Sequence, residues 1–476
     1  MKKFLKKMVC GLLSLVCVCS GVSAFASCNS AAEKLTREIY TVQDFLEHIE
    51  EYRDKEHKGM GKRETTVGSF RLMADLDFTG IDYEPLLLQM DFDGNGHALN
   101  NITINAYEEY NYGVGIFYSN VGKSVATIKN LTVNNLFINY TGKETPVGGL
   151  LGYYHGNRHE TKNDDGEEIT VYEAIENVKI NGKINAPQTS YVGGLIGESY
   201  MGVVKNCEVM VDVVGGNYTG GIIGGNKYDS EITQTQIYDS VNNGSVKGGE
   251  KVGGVIGRYG MIYDCSNTGE VSGKENVGGI VGSTDYDIEG CTNSGNITGT
   301  SANKINGSSG GKIEDGDEHA QVGGIVGEAI GYGALSDCKN TGVVKGSYDR
   351  IGGIAGYCTR EVVNCQNEGS VTGDDDVGGI IGCWKKEGSL TKCRNKGNVT
   401  ANVGGGGLVG NIAATKTVKL LNCESGGLIT VDAYGGGLVG RSYATIDEDY
   451  ITTNNFNGEL DCGSLDTSNQ IYNKIK

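Results

Sequence analysis

The sequence is poor in proline, tryptophan and long apolar runs, and it lacks several catalytic and metal-binding motifs. Only 3 of its 476 residues are Pro, and no Gly-X-Y period runs through it, which excludes a collagen-like triple helix. After residue 26 no stretch approaches the roughly 18 consecutive apolar residues of a membrane-spanning helix. The HExxH motif of zinc peptidases is absent, and no CxxC pair follows residue 26, which argues against a zinc knuckle.

Positive charge is also scarce. The chain has 41 Lys and Arg against 59 Asp and Glu, and its formal net charge is −18. A surface this acidic repels phosphate backbones and anionic lipids, so we expect no nucleic-acid partner and no electrostatic attachment to membranes. Three acidic clusters could offer oxygen ligands to calcium, but none matches an EF-hand loop, and we expect hydrated loops and no cofactor. The clusters are residues 164–168, 314–318 and 374–376.

Residues 1–26 have the features of a secretory signal. Four lysines fall within the first seven residues, an apolar stretch covers residues 8–22, and Ala24-Phe25-Ala26 forms a small-x-small cleavage site. Cys28 follows in a context that resembles a relaxed lipobox, so it could carry a lipid. We expect an extracytoplasmic protein, either secreted or held at the cell surface through Cys28, and both alternatives stay open.

Glycine, in contrast, is abundant: 77 residues, about one in six. A six-residue phrase, seen in Val147-Gly148-Gly149-Leu150-Leu151-Gly152, recurs ten times at intervals of 25 to 33 residues, apart from two intervals of 45. Its copies begin at Val147, Val192, Thr219, Val252, Val277, Val322, Ile351, Val377, Gly405 and Gly435. A unit this short cannot fold alone, so we expect the units to stack on one another.

A second phrase, apolar-x-x-Cys-x-Asn-x-Gly-x-Val, follows most copies of the first, as in residues 262–271. Short runs rich in Val and Ile and interrupted by Gly and Asn favour strands over helices. Three short strands per unit with tight corners would form one coil of a parallel β-helix. The sequence therefore predicts an all-β solenoid of about ten or eleven coils.

The Asn of the second phrase forms a column in such a stack. Equivalent residues of successive coils would lie about 4.8 Å apart, so a corner that needs a positive φ recurs in every coil, and Gly and Asn tolerate it. We expect the glycines and these asparagines to occupy such corners, with the amides hydrogen-bonded from coil to coil. The column comprises Asn242, Asn267, Asn293, Asn340, Asn367 and Asn395.

Seven cysteines occupy another single position of the repeat, where other copies have Leu131, Val178 and Ser240. Because these replacements are compatible only with a small buried side chain, we interpret the column as packing, with a metal or disulfide role as the alternative. Cys358, Cys383 and Cys462 lie outside it and are better disulfide candidates. The column comprises Cys207, Cys265, Cys291, Cys338, Cys365, Cys393 and Cys423.

The Gly-Gly-Leu-x-Gly phrases resemble the GLUG motif repeats of bacterial surface and secreted proteins, over roughly residues 113–440. The segments 40–45, 72–78 and 92–97 are similar to the lead-in of such solenoids, which also occurs in the non-catalytic part of bacterial immunoglobulin A peptidases. The resemblance implies a cap and lead-in over 27–112, the solenoid over 113–440, and a C-terminal cap over 441–476. Peptidase activity is not implied, because HExxH is absent.

One helix is expected in the lead-in. Thr41 can cap a helix that runs to about Tyr52, with Asp44 in its first turn. Such a helix would cover the exposed edge of the first coil, as solenoids require.

An aromatic residue follows nearly every Gly-rich phrase. Stacking could align these rings as a stripe along one corner, and aromatic faces with hydroxyl edges suit sugar rings or protein partners. Ordinary packing at the corner is the alternative interpretation. The residues are Tyr153, Tyr154, Tyr200, Tyr228, Tyr259, Tyr286, Tyr332, Tyr357, Trp384 and Tyr443.

We therefore expect a non-catalytic adhesion or interaction module whose partner is an extracellular glycan or a host or bacterial surface protein. One alternative is a carbohydrate-active β-helix enzyme, such as a polysaccharide lyase or hydrolase, which rests on fold analogy and requires acids that converge in one groove. The other alternative is a passive structural spacer.

Overall fold

The computed structural model describes residues 35–50, 67–107, 112–120, 127–156, 158–162, 168–172, 174–226, 234–300, 321–331, 333–385, 388–414, 417–444, 446 and 454–462. The signal-like segment 1–26 and Cys28 lie outside these ranges. Within them, short strands pair in parallel with their equivalents in the preceding and following coils, so the chain winds into a parallel β-helix. The fold class that the repeat predicts is confirmed.

Each regular coil contains five short strands instead of the three expected. Within the second phrase, a residue with positive φ lies between the apolar residue and the Cys, and the strand ends there. One coil consists of Glu250–Gly253, Ile256–Arg258, Met261–Tyr263, Ser266–Asn267 and Val271–Gly273. We number the five stacks of equivalent strands 1 to 5 in this order. The Gly-rich phrase spans stacks 1 and 2, and the Cys-x-Asn phrase spans stacks 3 to 5.

Stacks 1 and 2 have the following bounds. Stack 1 contains Val147–Gly148, Val192–Gly193, Thr219–Gly220, Glu250–Gly253, Glu275–Gly278, Val322–Gly323, Asp349–Gly352, Asp375–Gly378 and the ends of Val399–Gly406 and Leu428–Gly436. Stack 2 contains Leu86–Leu87, Phe117–Ser119, Leu151–His155, Ile196–Tyr200, Ile223–Asn226, Ile256–Arg258, Val281–Thr284, Val326–Ala329, Ala355–Cys358, Ile381–Trp384, Val409–Ile412 and Val439–Ser442. Stack 2 is a sheet of 12 strands, because the lead-in adds two before the first Gly-rich phrase.

Near the N-terminal end, the long strands Ile128–Tyr140 and Ala174–Asn185 each run through stacks 3 to 5, and Glu208–Val214 runs through stacks 4 and 5. Stack 3 also contains Leu35–Ile39, Val67–Leu72, Asp91–Asp93, Val203–Lys205, Gln236–Tyr238, Met261–Tyr263, Ile288–Glu289, Leu335–Ser336, Val362–Val363, Ser389–Thr391 and Lys419–Leu421. Stack 4 contains Leu76–Asp77, Ala98–Asn100, Val241–Asn242, Ser266–Asn267, Thr292–Asn293, Lys339–Asn340, Gln366–Asn367, Arg394–Asn395, Glu424–Ser425 and Asn455–Phe456. Stack 5 contains Thr103–Ala106, Val246–Lys247, Val271–Gly273, Ile297–Gly299, Val344–Gly346, Val371–Thr372, the starts of Val399–Gly406 and Leu428–Gly436, and Glu459–Cys462.

One antiparallel hairpin departs from the coil after stack 2. Its strands, Arg158–Lys162 and Glu168–Tyr172, pair with each other in the first of the two long intervals. The insertion therefore forms a hairpin of its own between stacks 2 and 3.

The interior of the rod contains two hydrophobic columns. In the larger one, side chains of stacks 2 and 3 pack with the cysteines, for example Ile256, Ile262 and Cys265. In the smaller one, Val and Ile side chains of stacks 1 and 5 pack together, for example Val252 and Val271. The asparagine column lies where these two hydrophobic columns meet.

The six asparagines form a continuous buried ladder. Each is at most 1% exposed, and Nδ2 of each of the first five donates a hydrogen bond of 2.7–2.8 Å to Oδ1 of the next Asn along the rod, so that five bonds connect Asn242 to Asn395. Each of the six Nδ2 atoms also donates to the carbonyl of the Gly two residues on, at 2.8–2.9 Å. Both amide hydrogens of the first five asparagines are therefore used away from water, which buried polar groups require.

The expectation that these asparagines occupy positive-φ corners is wrong, because their backbone belongs to strands. Positive φ recurs instead at two other positions of the repeat, the residue before each Cys of the cysteine column and the residue before nine of the ten Gly-rich phrases. Asp264 (φ 52°) and Lys251 (φ 55°) are examples in one coil. The residues in the first position include Asn177, Asn206, Asp239, Asp264, Gly290, Asp337, Asn364, Lys392 and Asn422.

The glycines of the phrase are likewise required by space and not by a positive φ. A Cβ on Gly254 would lie 2.1 Å from the carbonyl oxygen of Gly279 and 2.4 Å from Cγ of Asn267. A Cβ on Gly257 would lie 2.6 Å from the carbonyl oxygen of Lys251. The backbone of stack 2 therefore lies directly against that of stack 1, and the ladder lies directly against the turn between them.

The helix expected in the lead-in is confirmed and covers the N-terminal end of the interior. It comprises Val42–Glu50, and it starts with a reciprocal cap: Asp44 N donates to Thr41 Oγ1 at 3.1 Å, and Thr41 N donates to Asp44 Oδ2 at 2.9 Å. Phe45 is fully buried, with its ring centroid 5.5 Å from that of Phe78 and 6.0 Å from that of Phe92. The helix thus closes the first coil with aromatic packing.

At the other end the asparagine ladder stops. Ser425 takes the position after Asn395, and Phe456 takes the one after that. The Phe456 ring lies against the backbone of Gly437, where a Cβ would approach it to 2.6 Å. An aromatic side chain thus replaces the last amide.

Replacing Asn340 by Ala tests the ladder. The substitution leaves Nδ2 of Asn293 and Oδ1 of Asn367 without their partners in a dry interior, so we expect a loss of about 2–3 kcal/mol in the free energy of unfolding. Asn296→Ala is the control, because Asn296 is exposed and its side chain accepts one bond, from Val343 N at 3.1 Å. Urea denaturation measures both, and equal shifts of the two midpoints would contradict the ladder's role.

Replacing Gly324 by Ala tests the close approach of the backbones. The new Cβ would lie 2.1 Å from the carbonyl oxygen of Gly353 and 2.5 Å from Cγ of Asn340. We expect the free energy of unfolding to fall by about 3 kcal/mol or more. Gly388→Ala is the control, since its Cβ would first meet the flexible Glu361 side chain at 3.3 Å. A thermal midpoint that changes no more for Gly324→Ala than for the control would disprove the steric explanation.

Candidate functional site

The aromatic residues that follow the Gly-rich phrases do not form one stripe. Tyr154 and Trp384 are fully buried, because the fourth residue of a stack 2 strand points into the larger hydrophobic column. Including them in a binding stripe is therefore a mistake. Tyr443 is 58% exposed, whereas Tyr259 is 9% exposed.

The other members of the set are distributed as follows. Tyr153, Tyr200, Tyr286 and Tyr357 are half-buried. Tyr228 and Tyr332 lie outside the described residues.

The structure instead brings polar and aromatic side chains together along a different line, which we call the polar seam. Its first row is the positive-φ residue before nine of the ten Gly-rich phrases, and its second row is the third residue of the ten stack 2 strands that belong to these phrases. The first row is Tyr191, Tyr218, Lys251, Asn276, Gln321, Arg350, Asp376, Gly404 and Tyr434. The second row is Tyr153, Glu198, Gly225, Arg258, Ser283, Glu328, Tyr357, Cys383, Asn411 and Arg441.

The glycine between the two rows explains why they touch. Because Gly257 has no Cβ, the stack 2 strand lies on the corner that begins the phrase, and residues on either side come within reach. Asn276 Nδ2 donates to Oε2 of Glu328 at 3.3 Å, and the guanidinium of Arg350 lies 4.8 Å from the ring centroid of Tyr357. In the seam, successive coils thus contribute one residue to each row, some of them half-buried, such as Tyr218 and Arg258, and others buried, such as Glu198, Ser283 and Asp376.

Near the middle of the rod the seam holds an aromatic–arginine cluster, formed by Tyr191, Tyr218, Arg258, Tyr259 and Tyr286. The rings of Tyr191 and Tyr218 lie with centroids 4.7 Å apart at 36°. Cζ of Arg258 is 5.1 Å from the centroid of Tyr218 and 4.3 Å from that of Tyr259. Tyr286 meets Tyr259 edge-on at 6.3 Å. The guanidinium thus contacts two aromatic rings, and this arrangement stabilises its positive charge.

Arg258 differs from its neighbours in its electrostatic surroundings. It is half-buried; its Nη2 donates to the hydroxyl of Tyr259 at 3.0 Å, while its buried Nε has no hydrogen-bond partner. Burial by itself lowers the pKa of Arg258, but the contact with Tyr259 outweighs that effect and the pKa is raised. Among the described residues it forms no ion pair with a carboxylate.

Arg360 supports this cluster from inside the rod. It is 4% exposed, and its guanidinium donates to the carbonyls of Thr284, Tyr286 and Ile330, at 2.7 Å for Tyr286 and 2.6 Å for Ile330. These carbonyls belong to two coils, and Arg360 belongs to the next one. The backbone that carries Tyr286 is thereby fixed.

A second cluster on the seam contains charged side chains. Arg441 donates through Nε to Oδ1 of Asp376 at 3.0 Å and through Nη2 to Oδ1 of Asp375 at 2.8 Å, and Asn411 Nδ2 donates to Oδ2 of Asp376 at 3.1 Å. Burial and the neighbouring Asp376 charge raise the pKa of Asp375 to about 6, although Arg441 opposes the shift. Burial likewise raises the pKa of Asp376.

Two residues of the third acidic cluster therefore bind an arginine of the chain itself. In the part of the chain that the structure describes, no group of three His, Cys, Asp or Glu side chains is arranged to hold a metal ion. The first two acidic clusters lie outside that part, except for Glu168, which is in a strand.

The cysteine column lies in the larger hydrophobic column. Its seven members are at most 2% exposed, and their thiols donate to backbone carbonyls, as Cys265 Sγ does to Tyr263 O at 3.3 Å. Burial raises the pKa of Cys207 to about 12. No disulfide joins any two of the ten cysteines that the structure describes, which include the buried Cys358 and Cys383 and the partly exposed Cys462.

The sequence analysis did not predict the first row of the seam or Arg258, because it considered only the aromatic residues that follow each Gly-rich phrase. The signal that could have found the row is the position directly before each phrase, which is Tyr in three copies: Tyr191, Tyr218 and Tyr434. The contact of Arg258 with Tyr218 joins different coils, and no local pattern encodes it.

Comparisons with known proteins identify the repeat. Residues 273–298 and 318–345 match the family described as the GLUG motif, so the chain carries GLUG motifs at two sites. A search of curated proteins gives no match.

One solved structure is similar to the chain. It is described as a "putative immunoglobulin A1 protease" from Bacteroides ovatus, with 20% identity and a TM-score of 0.39, covering 62% of this chain and 84% of its own. A similarity this low transfers neither a fold nor an activity. Within the described residues, no helix has the length and apolar character that crossing a membrane requires.

Replacing Asp375 by Asn tests the charged cluster. Its folded pKa of about 6 exceeds the ~3.9 of an unfolded Asp. The ionised side chain therefore destabilises the fold in full above about pH 6, and this cost shrinks between pH 6 and the unfolded pKa and disappears below about pH 3.9. We expect Asp375→Asn to raise the thermal midpoint at pH 7.5 and to approach wild type only at about pH 3.5.

The exposed Asp432 provides the control, since Asp432→Asn should leave the midpoint unchanged at both pH values. A lower midpoint for Asp375→Asn at pH 7.5 would mean that the ion pair with Arg441 outweighs the burial of the carboxylate, contrary to the prediction.

Proposed function

We propose that the chain is an exported, non-catalytic interaction module that binds an extracellular glycan or a host or bacterial surface protein through the polar seam. The observation that supports this most is the aromatic–arginine cluster, where Tyr191, Tyr218 and Arg258 lie half-buried on the outside of the rod. Aromatic and Arg side chains at a surface are typical of recognition sites for sugars and proteins.

The rod is a suitable support for such a site. Every regular coil is joined to its neighbours by main-chain ladders and, across six coils, by the asparagine ladder. A site on so regular a support is already ordered before binding, so association does not have to pay for fixing its side chains on a mobile loop. The ordered support therefore favours a non-catalytic binding site on the seam.

Export is part of the proposal and rests on the sequence. The basic start, apolar stretch and small-x-small site of residues 1–26 support secretion, and Cys28 supports a lipid anchor at the cell surface as an equal alternative. In either case the acidic rod would stand outside the cytoplasm, where glycans and surface proteins are available as partners.

A carbohydrate-active enzyme remains the second candidate. The arrangement nearest to its requirement is Asp375 and Asp376 beside Arg441. The side chain of Asp376 is 3% exposed, and its oxygens already accept bonds from Arg441 and Asn411, so this cluster resembles a structural ion pair. Release of reducing ends from polysaccharides that bind the chain would favour the enzyme.

The double variant Tyr191→Ala/Tyr218→Ala tests the proposed site. Each aromatic contact is worth about 0.5–1.5 kcal/mol, so we expect binding to weaken by roughly tenfold or more. The measurement is binding of the chain without residues 1–26 to a glycan array and to extracellular matrix proteins. Wild-type and variant chains are compared on whichever of these the wild type binds.

The control is Tyr238→Ala/Tyr263→Ala. This pair is also stacked, with centroids 5.0 Å apart, but it lies on stack 3, away from the seam. Equal affinity in the wild type and the seam variant, with an unchanged circular dichroism spectrum, would disprove binding at the seam. Absence of any binding by the wild type would favour the passive spacer.

A further inference from the structure

The charge of Arg258 is unusual in this chain. Acidic residues outnumber basic ones by 59 to 41, and other arginines of the rod pair with them: Arg71 with Asp93, Arg394 with Glu424 and Arg441 with Asp376. Arg258 is half-buried, and its side-chain hydrogen bonds go to tyrosine hydroxyls, those of Tyr259 and Tyr191, and not to a carboxylate among the described residues. A partly desolvated cation without a counter-ion is unfavourable, and a ligand anion would correct this.

The surroundings of Arg258 restrict the shape of such a ligand. Cζ of Arg258 lies over the rings of Tyr218 and Tyr259, at 5.1 and 4.3 Å from their centroids, and its Nε is buried. An anion would therefore have to reach the guanidinium edge formed by the two Nη atoms, and such an edge can bind a planar carboxylate through parallel N–H bonds. Tyr191 lies beside Tyr218 and extends the aromatic surface to a further coil, which gives room for a ring attached to the carboxylate.

The second row of the seam restricts the number of negative charges that a ligand can carry. Gly225 precedes Arg258 in the row and Ser283 follows it, and the next residues outwards are Glu198 and Glu328. Two strand spacings place each of these acidic positions about 10 Å along the row. Between these two acidic positions the seam contains the cations Arg258 and, in the first row of the same coil, Lys251. A ligand with a single negative charge can lie against this stretch, whereas a longer polyanion would meet an acidic position on both sides.

We infer that Arg258, with Tyr191 and Tyr218, binds one acidic sugar residue, a hexuronate or a sialic acid, through its carboxylate, within an otherwise neutral glycan. The inference rests on the proposed function and gives its ligand class. The guanidinium edge holds the carboxylate, and the tyrosine rings contact the sugar ring. The acidic positions on either side select against polyuronates and sulfated polymers.

The test compares ligand pairs that differ only in the acid, using the chain without residues 1–26. The probes are 3′-sialyllactose against lactose, and methyl glucuronoside against its methyl ester, with calorimetry or saturation-transfer NMR as the readout. We expect the acidic member of at least one pair to bind about tenfold or more tightly, because a hydrogen bond to a charged group replaces a neutral contact. The preference should weaken as salt is added.

Arg258→Met keeps the length of the side chain and removes the charge, so it should abolish the preference, while Arg258→Lys should retain part of it. Arg394→Met is the matched control, since Arg394 is 63% exposed and lies on stack 4. The comparison with the methyl ester uses wild-type protein alone, so it decides the question even if a variant fails to fold.

Equal affinity for acidic and neutral members in both pairs would overturn the inference, and so would an unchanged preference in Arg258→Met. Tighter binding of polygalacturonate or dextran sulfate than of either singly acidic probe would contradict the inference that the site prefers a ligand with one carboxylate. If the chain binds neutral glycans or proteins through Tyr191 and Tyr218 without preferring acids, only this inference fails. If it binds nothing, the proposed function fails as well.

Discussion

The structure depends on the in-register repetition of coils at the spacing of hydrogen-bonded strands, about 4.8 Å. At that spacing the two halves of the Gly-rich phrase lie too close for a Cβ, and the amide of each buried Asn meets that of the next coil. Each of the six asparagines faces a glycine whose Cβ would come within 2.3–2.5 Å of its Cγ. Glycine and asparagine are therefore required together.

The polar seam follows from the same constraint. Because glycine lets stack 2 lie on the corner before each phrase, the residues on either side of that glycine form two rows whose contacts cross from coil to coil. The composition of the rows changes along the rod, from tyrosines with Arg258 near the middle to acids with Arg441 further on. A uniform backbone thus presents different side chains at one repeated position, and this variation is the basis of the function that we propose.

The repeat and its physics were sufficient to predict the β-helix and the helix that closes it, since the Thr41–Asp44 cap and the spacing of the phrases are local signals. The positive-φ corners were assigned to the wrong residues: Asn267 was chosen for its tolerance of the left-handed region, which Asp264 and Lys251 occupy. Tyr154 and Trp384 were misplaced because the strand period alone does not show which side of stack 2 faces the interior. The approach of Arg258 to Tyr218 depends on how coils overlap, which no single repeat contains.

Hydrogen exchange of the asparagine side-chain amides tests the central claim most directly. In a chain labelled with ¹⁵N at Asn, the side-chain amides of Asn242, Asn267, Asn293, Asn340 and Asn367 should exchange far more slowly than those of exposed asparagines such as Asn296, because both hydrogens are bonded in a dry interior. We expect the side-chain amides of these five residues to form a separate, protected set. Exchange of these five at the rate of the exposed asparagines would contradict the buried amide ladder and the in-register stacking that it requires.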